Sequence, residues 1–147
     1  MRWPNRQPHS LTLGIRKAQK MLADFLPLID WPHFRRVNLS DRVRINGPAH
    51  VFACGDDSQA VVYLLRHDCI AKNGMLDPSA NPIACEVRIP KLRPGSYRVH
   101  SFDPVSGHLP RHDSIAHFSA GDDLVITTPP FAREIAVAIA RSADASR

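Results

Sequence analysis

Two hydrophobic periods divide the chain into a helical segment and a longer part that is rich in short strands. Between residues 10 and 30, apolar side chains recur every three or four positions, which is the period of an amphipathic α-helix. Ser10 is suited to cap the first turn, and Pro27 should end or kink the last one. We expect the apolar stripe to pack against a sheet or against a second copy of itself. The stripe consists of Leu11, Ile15, Ala18, Leu22, Phe25 and Ile29.

From residue 37 onward the helical period disappears, and short apolar segments alternate with turn residues such as Asn46-Gly47 and Gly121-Asp122. The segment 59–65 is apolar on both faces and should be a central strand. The series predicts a mainly β fold, an antiparallel β-sandwich of about 7–9 short strands preceded by one N-terminal amphipathic α-helix. The predicted strands are 37–39, 43–45, 50–54, 59–65, 83–89, 97–102, 115–118, 124–127 and 134–140.

These elements suggest one folded domain flanked by less ordered segments. Residues 1–9 have the composition of a flexible arm, and residues 142–147 that of a disordered tail. Residues 31–36 link the helix to the sandwich, which we expect to span 37–141. The prolines in 67–82 predict a long surface loop.

The composition is that of an ordinary folded domain. The 147 residues, 44% of them hydrophobic and 22% charged, suffice for one core. The net charge is +5, but the basic residues are scattered, so we expect no nucleic-acid partner. No run of about 18 apolar residues predicts a membrane span, and we expect no membrane partner.

The N-terminus lacks the apolar core of a signal peptide, which taken literally predicts a cytoplasmic protein. If the chain is the tail of an exported enzyme, the location would instead be extracellular or periplasmic. Cys54, Cys69 and Cys85 lack the spacing of a disulfide framework or a zinc motif, and their redox state stays open.

One stretch in the second half has a recognisable pattern of turn, strand and turn, and a Pro129-Pro130 pair follows it. The pattern resembles the C-terminal β-sandwich domain of apiosidase-like and cellulase-like TIM-barrel glycoside hydrolases, a domain often labelled as collagen-binding. Ser101 stands where the family has tryptophan, and Val105 where it has arginine. The matching residues are Pro94, Gly95, Tyr97, Phe102, Asp103, Pro104 and Gly107.

The resemblance extends to the helical segment. Residues 10–30 are similar to the last helix of such a barrel where it leads into the tail domain, with Ala18, Met21, Phe25, Ile29 and Trp31 at the matching positions. The resemblance implies that the catalytic carboxylates belong to a barrel that this sequence does not contain. It also implies a TIM-barrel catalytic domain as a partner, in cis or lost.

Few residues in the chain itself suggest chemistry. The aspartates lie mostly in turns, where they usually cap local amides, and no nucleophile or phosphate-binding motif is present. Both tryptophans lie outside the predicted sandwich, and Tyr63 and Tyr97 fall on core-like strands, which disfavours a strong sugar platform. We therefore predict no catalytic residue, no metal site and no cofactor. The candidate binding residues are Trp31 and, in the histidine-rich loop 108–117, His108, His112 and Asp113.

The leading hypothesis is a noncatalytic accessory domain of a glycoside hydrolase-like protein, giving structural support or substrate-side binding. One alternative is a stand-alone module that binds carbohydrate or a matrix protein. Another is a small metal-dependent hydrolase that uses the loop 108–117. The partners expected are a barrel domain, a second copy bound through the N-terminal helix, or a polysaccharide.

Overall fold

The computed structural model describes residues 13–104, 113–118 and 121–142. Helix α1 spans Leu13–Phe25, and 3₁₀ turns follow at Leu26–Leu28 and Trp31–His33. The predicted fold class is confirmed, because within these described residues nine strands form an antiparallel sandwich that one amphipathic helix precedes. The strands are β1 Val37–Asn38, β2 Arg44–Ile45, β3 Ala49–Gly55, β4 Gln59–Arg66, β5 Glu86–Ile89, β6 Gly95–Phe102, β7 Asp113–Phe118, β8 Leu124–Thr127 and β9 Glu134–Arg141.

The sandwich has a large and a small sheet. The large sheet has six strands in the order β1-β3-β4-β9-β6-β7, and the small one has three in the order β2-β5-β8. Every pairing is antiparallel. Strand β4 lies inside the large sheet, as its two apolar faces predicted, and β9 lies beside it.

Strict alternation along the strands builds the core between the sheets. In β4, Val62 and Leu64 face the small sheet and are fully buried, and Val137 and Ile139 of β9 do the same. The small sheet contributes a matching set of buried aliphatic side chains at Val87, Ile89, Leu124 and Ile126. Alternation thus selects the inner face of each strand, and apolar burial supplies the main stabilisation.

Strand β5 is shorter than the predicted 83–89. Ile83 forms only an isolated bridge with Phe131. The amide of Cys85 donates to the hydroxyl of Thr128 at 2.9 Å rather than to a main-chain carbonyl. The continuous ladder therefore begins at Glu86.

Helix α1 covers less of the sheet than its apolar stripe predicted. Phe25 and Ile29 are buried, but Ile15 is 47% exposed and Leu22 56% exposed. The helix ends at Phe25 because the segment containing Pro27 forms a 3₁₀ turn. Within the described residues, the C-terminal part of the stripe packs on the sheet, and packing of the rest on a second copy stays a prediction.

The stretch that resembles the glycosidase tail domain forms a tyrosine corner. The Tyr97 hydroxyl donates to the Arg93 carbonyl at 2.7 Å and to the Asp57 carbonyl at 3.3 Å, and the side chain is fully buried. Gly95 has a φ of 145°, which an L side chain rarely adopts. Lys91, just upstream, has a φ of 71° and is the only non-glycine residue with a positive φ in the described part.

A buried arginine fixes the start of the long loop after β4. Arg66 donates two hydrogen bonds to the Asp68 carboxylate, at 2.9 and 2.8 Å. Its remaining terminal nitrogen donates to the carbonyls of Asn81 and Ala132, at 2.6 and 2.8 Å. The loop is therefore anchored at both of its ends, and Cys69 within it is buried.

Candidate functional site on the outer face of the large sheet

The outer face of the large sheet is the surface on which conspicuous side chains gather. Alternation turns every second residue of β3, β4, β9 and β6 away from the core. The register aligns these residues in rows across the strands. Four rows result: His50–Leu65–Glu134, Phe52–Tyr63–Ala136–Phe102, Cys54–Val61–Ala138–His100 and Gln59–Ala140–Arg98.

The helical segment covers one part of this face. Phe25 packs on Phe102 with ring centroids 5.9 Å apart, and Ile29 and Phe34 pack in the same cluster over Ala138. The alanine of β9 leaves the space that these larger side chains fill. The cluster joins the helix and linker to the sandwich by apolar contact.

Gln59 adds a polar clamp to this junction. Its side-chain oxygen accepts the Asp30 amide at 2.7 Å, and its side-chain nitrogen donates to the Asp30 carbonyl at 3.3 Å. Gln59 is buried, so losing either partner would leave a polar group without water. The hairpin carboxylate of Asp56 also accepts the Arg35 amide, at 3.0 Å. The linker is thus held on the sandwich at two points.

An aromatic pair lies on the same outer face. Phe52 and Tyr63 are directly opposite on β3 and β4, with ring centroids 6.1 Å apart and a 45° tilt. Phe52 is 54% exposed, which is high for a phenylalanine. The Tyr63 hydroxyl donates to the Glu134 carboxylate. We call Phe52, Tyr63 and Glu134 the aromatic patch.

The electrostatics of the patch keep its tyrosine protonated. Burial raises the pKa of the Tyr63 phenol, and the hydrogen bond and charge of Glu134 raise it further. The phenol therefore stays a donor, and the Glu134 carboxylate can accept further hydrogen bonds because it has about four lone-pair sites. The patch combines a flat apolar surface with a fixed acceptor.

Two histidines lie next to one another at the end of this hairpin. His50 of β3 and His67, just after β4, have ring centroids 5.2 Å apart, and both side chains are exposed. The His67 amide donates to the Pro48 carbonyl at 3.0 Å, which extends the antiparallel pairing past the strand ends. We call His50 and His67 the histidine pair.

The predicted binding residues are not brought together by the described part of the structure. Trp31 is half-buried, donates from Nε1 to the Leu26 carbonyl at 2.6 Å and packs edge-to-face on Phe34 at 5.6 Å. These contacts give Trp31 a packing role in the junction. His108 and His112 lie outside the described residues. For Asp113 only the backbone is described, at the start of β7 opposite His100.

The residues of the family-like motif lie mainly at the ends of β6. Pro94 precedes the strand and is exposed, and Phe102 ends it under the helical cluster. Asp103 and Pro104 follow as half-buried residues, and Gly107 lies outside the described part. These residues therefore shape the two ends of β6, which is a structural role.

Two shallow clefts flank the junction between linker and sandwich. One, of about 390 Å³, lies between residues 27–30 and the ends of β4 and β9, near Gln59 and Arg141. The other, of about 240 Å³, lies near Asp56 and Lys91. Hydrogen bonds from Ser58, Arg35 and Gln59 outweigh the effect of burial and lower the pKa of the Asp56 carboxyl. That carboxylate is used to build the hairpin rather than to face a ligand.

Most other carboxylates also have structural partners. Asp57 pairs with Arg93, Glu86 with Arg88 and Asp24 with Lys20. Among the residues that the structure describes, no three histidine, cysteine or acidic side chains group closely enough to hold a metal ion. In the same part of the chain the three cysteines are free.

The sequence argument missed the aromatic patch and the histidine pair. Alternation within 50–54 does place His50 and Phe52 on one face, so part of the signal was present. The partners of these residues depend on the hairpin register, which places Tyr63 opposite Phe52. Tyr63 is half-buried on the outer face, so its interpretation as a core residue is wrong.

No protein family and no curated protein matches the chain. Within residues 13–104, 113–118 and 121–142, no helix has the length and apolar character needed to cross a bilayer.

Proposed function

We propose that the chain is a noncatalytic accessory β-sandwich domain that docks on a companion domain through helix α1. The observation that carries the proposal is the incomplete burial of the helix. Phe25 is buried at its C-terminal end, whereas Ile15 and Leu22 of the same stripe stay 47% and 56% exposed. An apolar stripe of this kind is normally covered in the folded protein, so a surface outside the described contacts should cover it.

The resemblance to the tail domains of glycoside hydrolases supports a TIM barrel as the companion. In that arrangement α1 would belong to the outer helix layer of the barrel, with the sandwich bracing it. The structural use of Asp56, Asp57 and Glu86 supports a noncatalytic role, because a glycosidase needs two free carboxylates across its cleft.

The first test is the size of the native polypeptide, measured by immunoblot with an antibody against the sandwich. A fused barrel predicts a band larger by about 250 residues, the typical size of that fold. A band at the 16.4 kDa of this chain would contradict fusion to a barrel.

A pair of matched variants tests the stripe itself. Leu13 and Leu22 are nine residues apart, which is about two and a half turns, so they lie on opposite sides of α1. Leu22→Lys should abolish docking on the companion, or self-association of the isolated chain, measured by light scattering. Leu13→Lys introduces the same charge on the other side and should change neither. Equal behaviour of the two variants would contradict docking through the stripe.

A second candidate function is carbohydrate binding by the aromatic patch. Sugars stack their C–H faces on exposed aromatic rings, and fixed polar groups orient their hydroxyls. Phe52 offers the ring, and the Tyr63–Glu134 pair offers the polar group.

Affinity electrophoresis against a panel of soluble polysaccharides tests this candidate. Binding predicts retardation that Phe52→Ala abolishes. Val125→Ala is the control, because Val125 is 40% exposed on β8 of the other sheet. Absence of retardation across the panel, or retardation that survives in Phe52→Ala, would exclude the patch as a sugar site.

A further inference from the structure

The histidine pair has no role in the function proposed above. His50 and His67 are held by backbone pairing at the open end of the β3–β4 hairpin, where both rings reach solvent. Neither ring has a hydrogen-bond partner among the described residues. The two rings contact one another, at a centroid separation of 5.2 Å.

This separation is compatible with a shared metal ion. A zinc–imidazole bond is about 2.0–2.1 Å long, and the ring centre lies about 1.1 Å behind the nitrogen, so each centroid sits about 3.2 Å from the ion. At the tetrahedral angle, two such centroids are about 5.2 Å apart. The observed centroid separation of 5.2 Å matches this value, so the spacing of the two rings is compatible with one shared ion.

Among the residues that the structure describes, no third histidine, cysteine or acidic side chain groups with the pair. The nearby Asp68 carboxylate receives two hydrogen bonds from Arg66, so it is engaged elsewhere. Water would occupy the remaining positions. Imidazole nitrogen suits Zn²⁺ and Cu²⁺, whereas Mg²⁺ and Ca²⁺ prefer oxygen ligands. We infer that His50 and His67 form a two-ligand surface site for a borderline divalent cation, Zn²⁺ or Cu²⁺, which joins β3 to the segment after β4.

Calorimetric titration of the full chain with Zn²⁺ tests the inference, at about pH 7.5 to keep free imidazole neutral. His50→Gln and His67→Gln should each weaken the site by about 100-fold, since a second tethered ligand commonly strengthens binding by 10²–10⁴. His33→Gln is the matched control, because His33 is also exposed but is bonded to Asp30 at 2.8 Å. It should leave the site unchanged, and Mg²⁺ should give no binding in any variant.

A spectroscopic measurement on the wild-type chain makes the test independent of the variants. Substoichiometric Cu²⁺ should broaden the imidazole proton signals of His50 and His67 together, before those of His33. Zinc binding that is unchanged in His50→Gln or in His67→Gln would overturn the inference. Broadening of only one of the two imidazoles would overturn it as well.

Discussion

Replacing Tyr97 by phenylalanine removes one hydroxyl group from the interior of the sandwich. The ring is fully buried and would keep its packing, so the change isolates the hydrogen bonds of the tyrosine corner. The Arg93 carbonyl loses the hydroxyl that donates to it at 2.7 Å, whereas the Asp57 carbonyl, 3.3 Å from the hydroxyl, still accepts the Arg93 amide at 2.8 Å. These carbonyls join the turn before β6 to the β3–β4 hairpin.

The expected loss follows from the cost of an unmade hydrogen bond. A typical bond contributes about 0.5–1.5 kcal/mol net, and a buried acceptor left without a donor costs about 1–3 kcal/mol. The bond to Arg93 is the shorter one and should dominate, so we expect Tyr97→Phe to lower the free energy of unfolding by about 2 kcal/mol. With a urea m-value near 2 kcal/mol/M, the midpoint should fall by about 1 M.

Tyr63→Phe is a matched control, because the chain has only two tyrosines and both donate to an oxygen. Glu134 is half-exposed and can regain water, so Tyr63→Phe should cost about half as much or less. Urea unfolding followed by circular dichroism measures both variants. Equal losses, or no loss in Tyr97→Phe, would refute the reasoning.

The same variant has a signature at high pH. Burial raises the pKa of the Tyr97 phenol, although Arg141 acts against it. The folded state thus holds a proton that the unfolded state releases above about pH 10. This contribution to stability is fully present below that pH and is lost as the pH rises beyond it. The free energy of unfolding of Tyr97→Phe should therefore fall less steeply with pH above about 10 than that of the wild type.

Three further changes test other parts of the fold. Arg66→Ala should lower the free energy of unfolding by about 3 kcal/mol, because it removes four hydrogen bonds of a buried side chain. Arg88→Ala breaks an exposed ion pair and should cost less than about 0.5 kcal/mol in the same urea assay. Lys91→Gly should raise the midpoint of thermal unfolding, because glycine relieves the strain of the left-handed backbone at φ 71°. The strain relieved is worth about 0.5–1 kcal/mol. A lower midpoint would contradict the presence of strain at this residue. Because the pKa of Asp56 is lowered, the contribution of its carboxylate to folding stability is present above about pH 4 and is lost as the pH falls. Asp56→Asn should therefore make the free energy of unfolding fall less steeply at acid pH. An unchanged acid limb of the pH–stability curve would contradict this.

The strands could be predicted because alternation is a local property of the sequence. Strand β4 needed only its own residues to be placed in the middle of a sheet, and its neighbours confirm that position. The burial of α1 could not be predicted in the same way, because periodicity shows that Leu22 belongs to an apolar stripe but not what covers it. The aromatic patch depends on the register between strands, which pairs Phe52 with Tyr63 and Ala136. The pattern of a single strand therefore cannot predict such a row.

The position of β9 has a consequence for how the chain folds during synthesis. Strand β9 is the last of the described strands in chain order, yet it lies between β4 and β6. Until it leaves the ribosome, β4 and β6 each present an open edge with unpaired amides and carbonyls, which invites pairing with other chains. A nascent chain that stops before Glu134 therefore holds two unjoined halves of a sheet. Folding of the sandwich should occur in one late step, and incomplete chains should be prone to aggregate rather than to persist as partial domains.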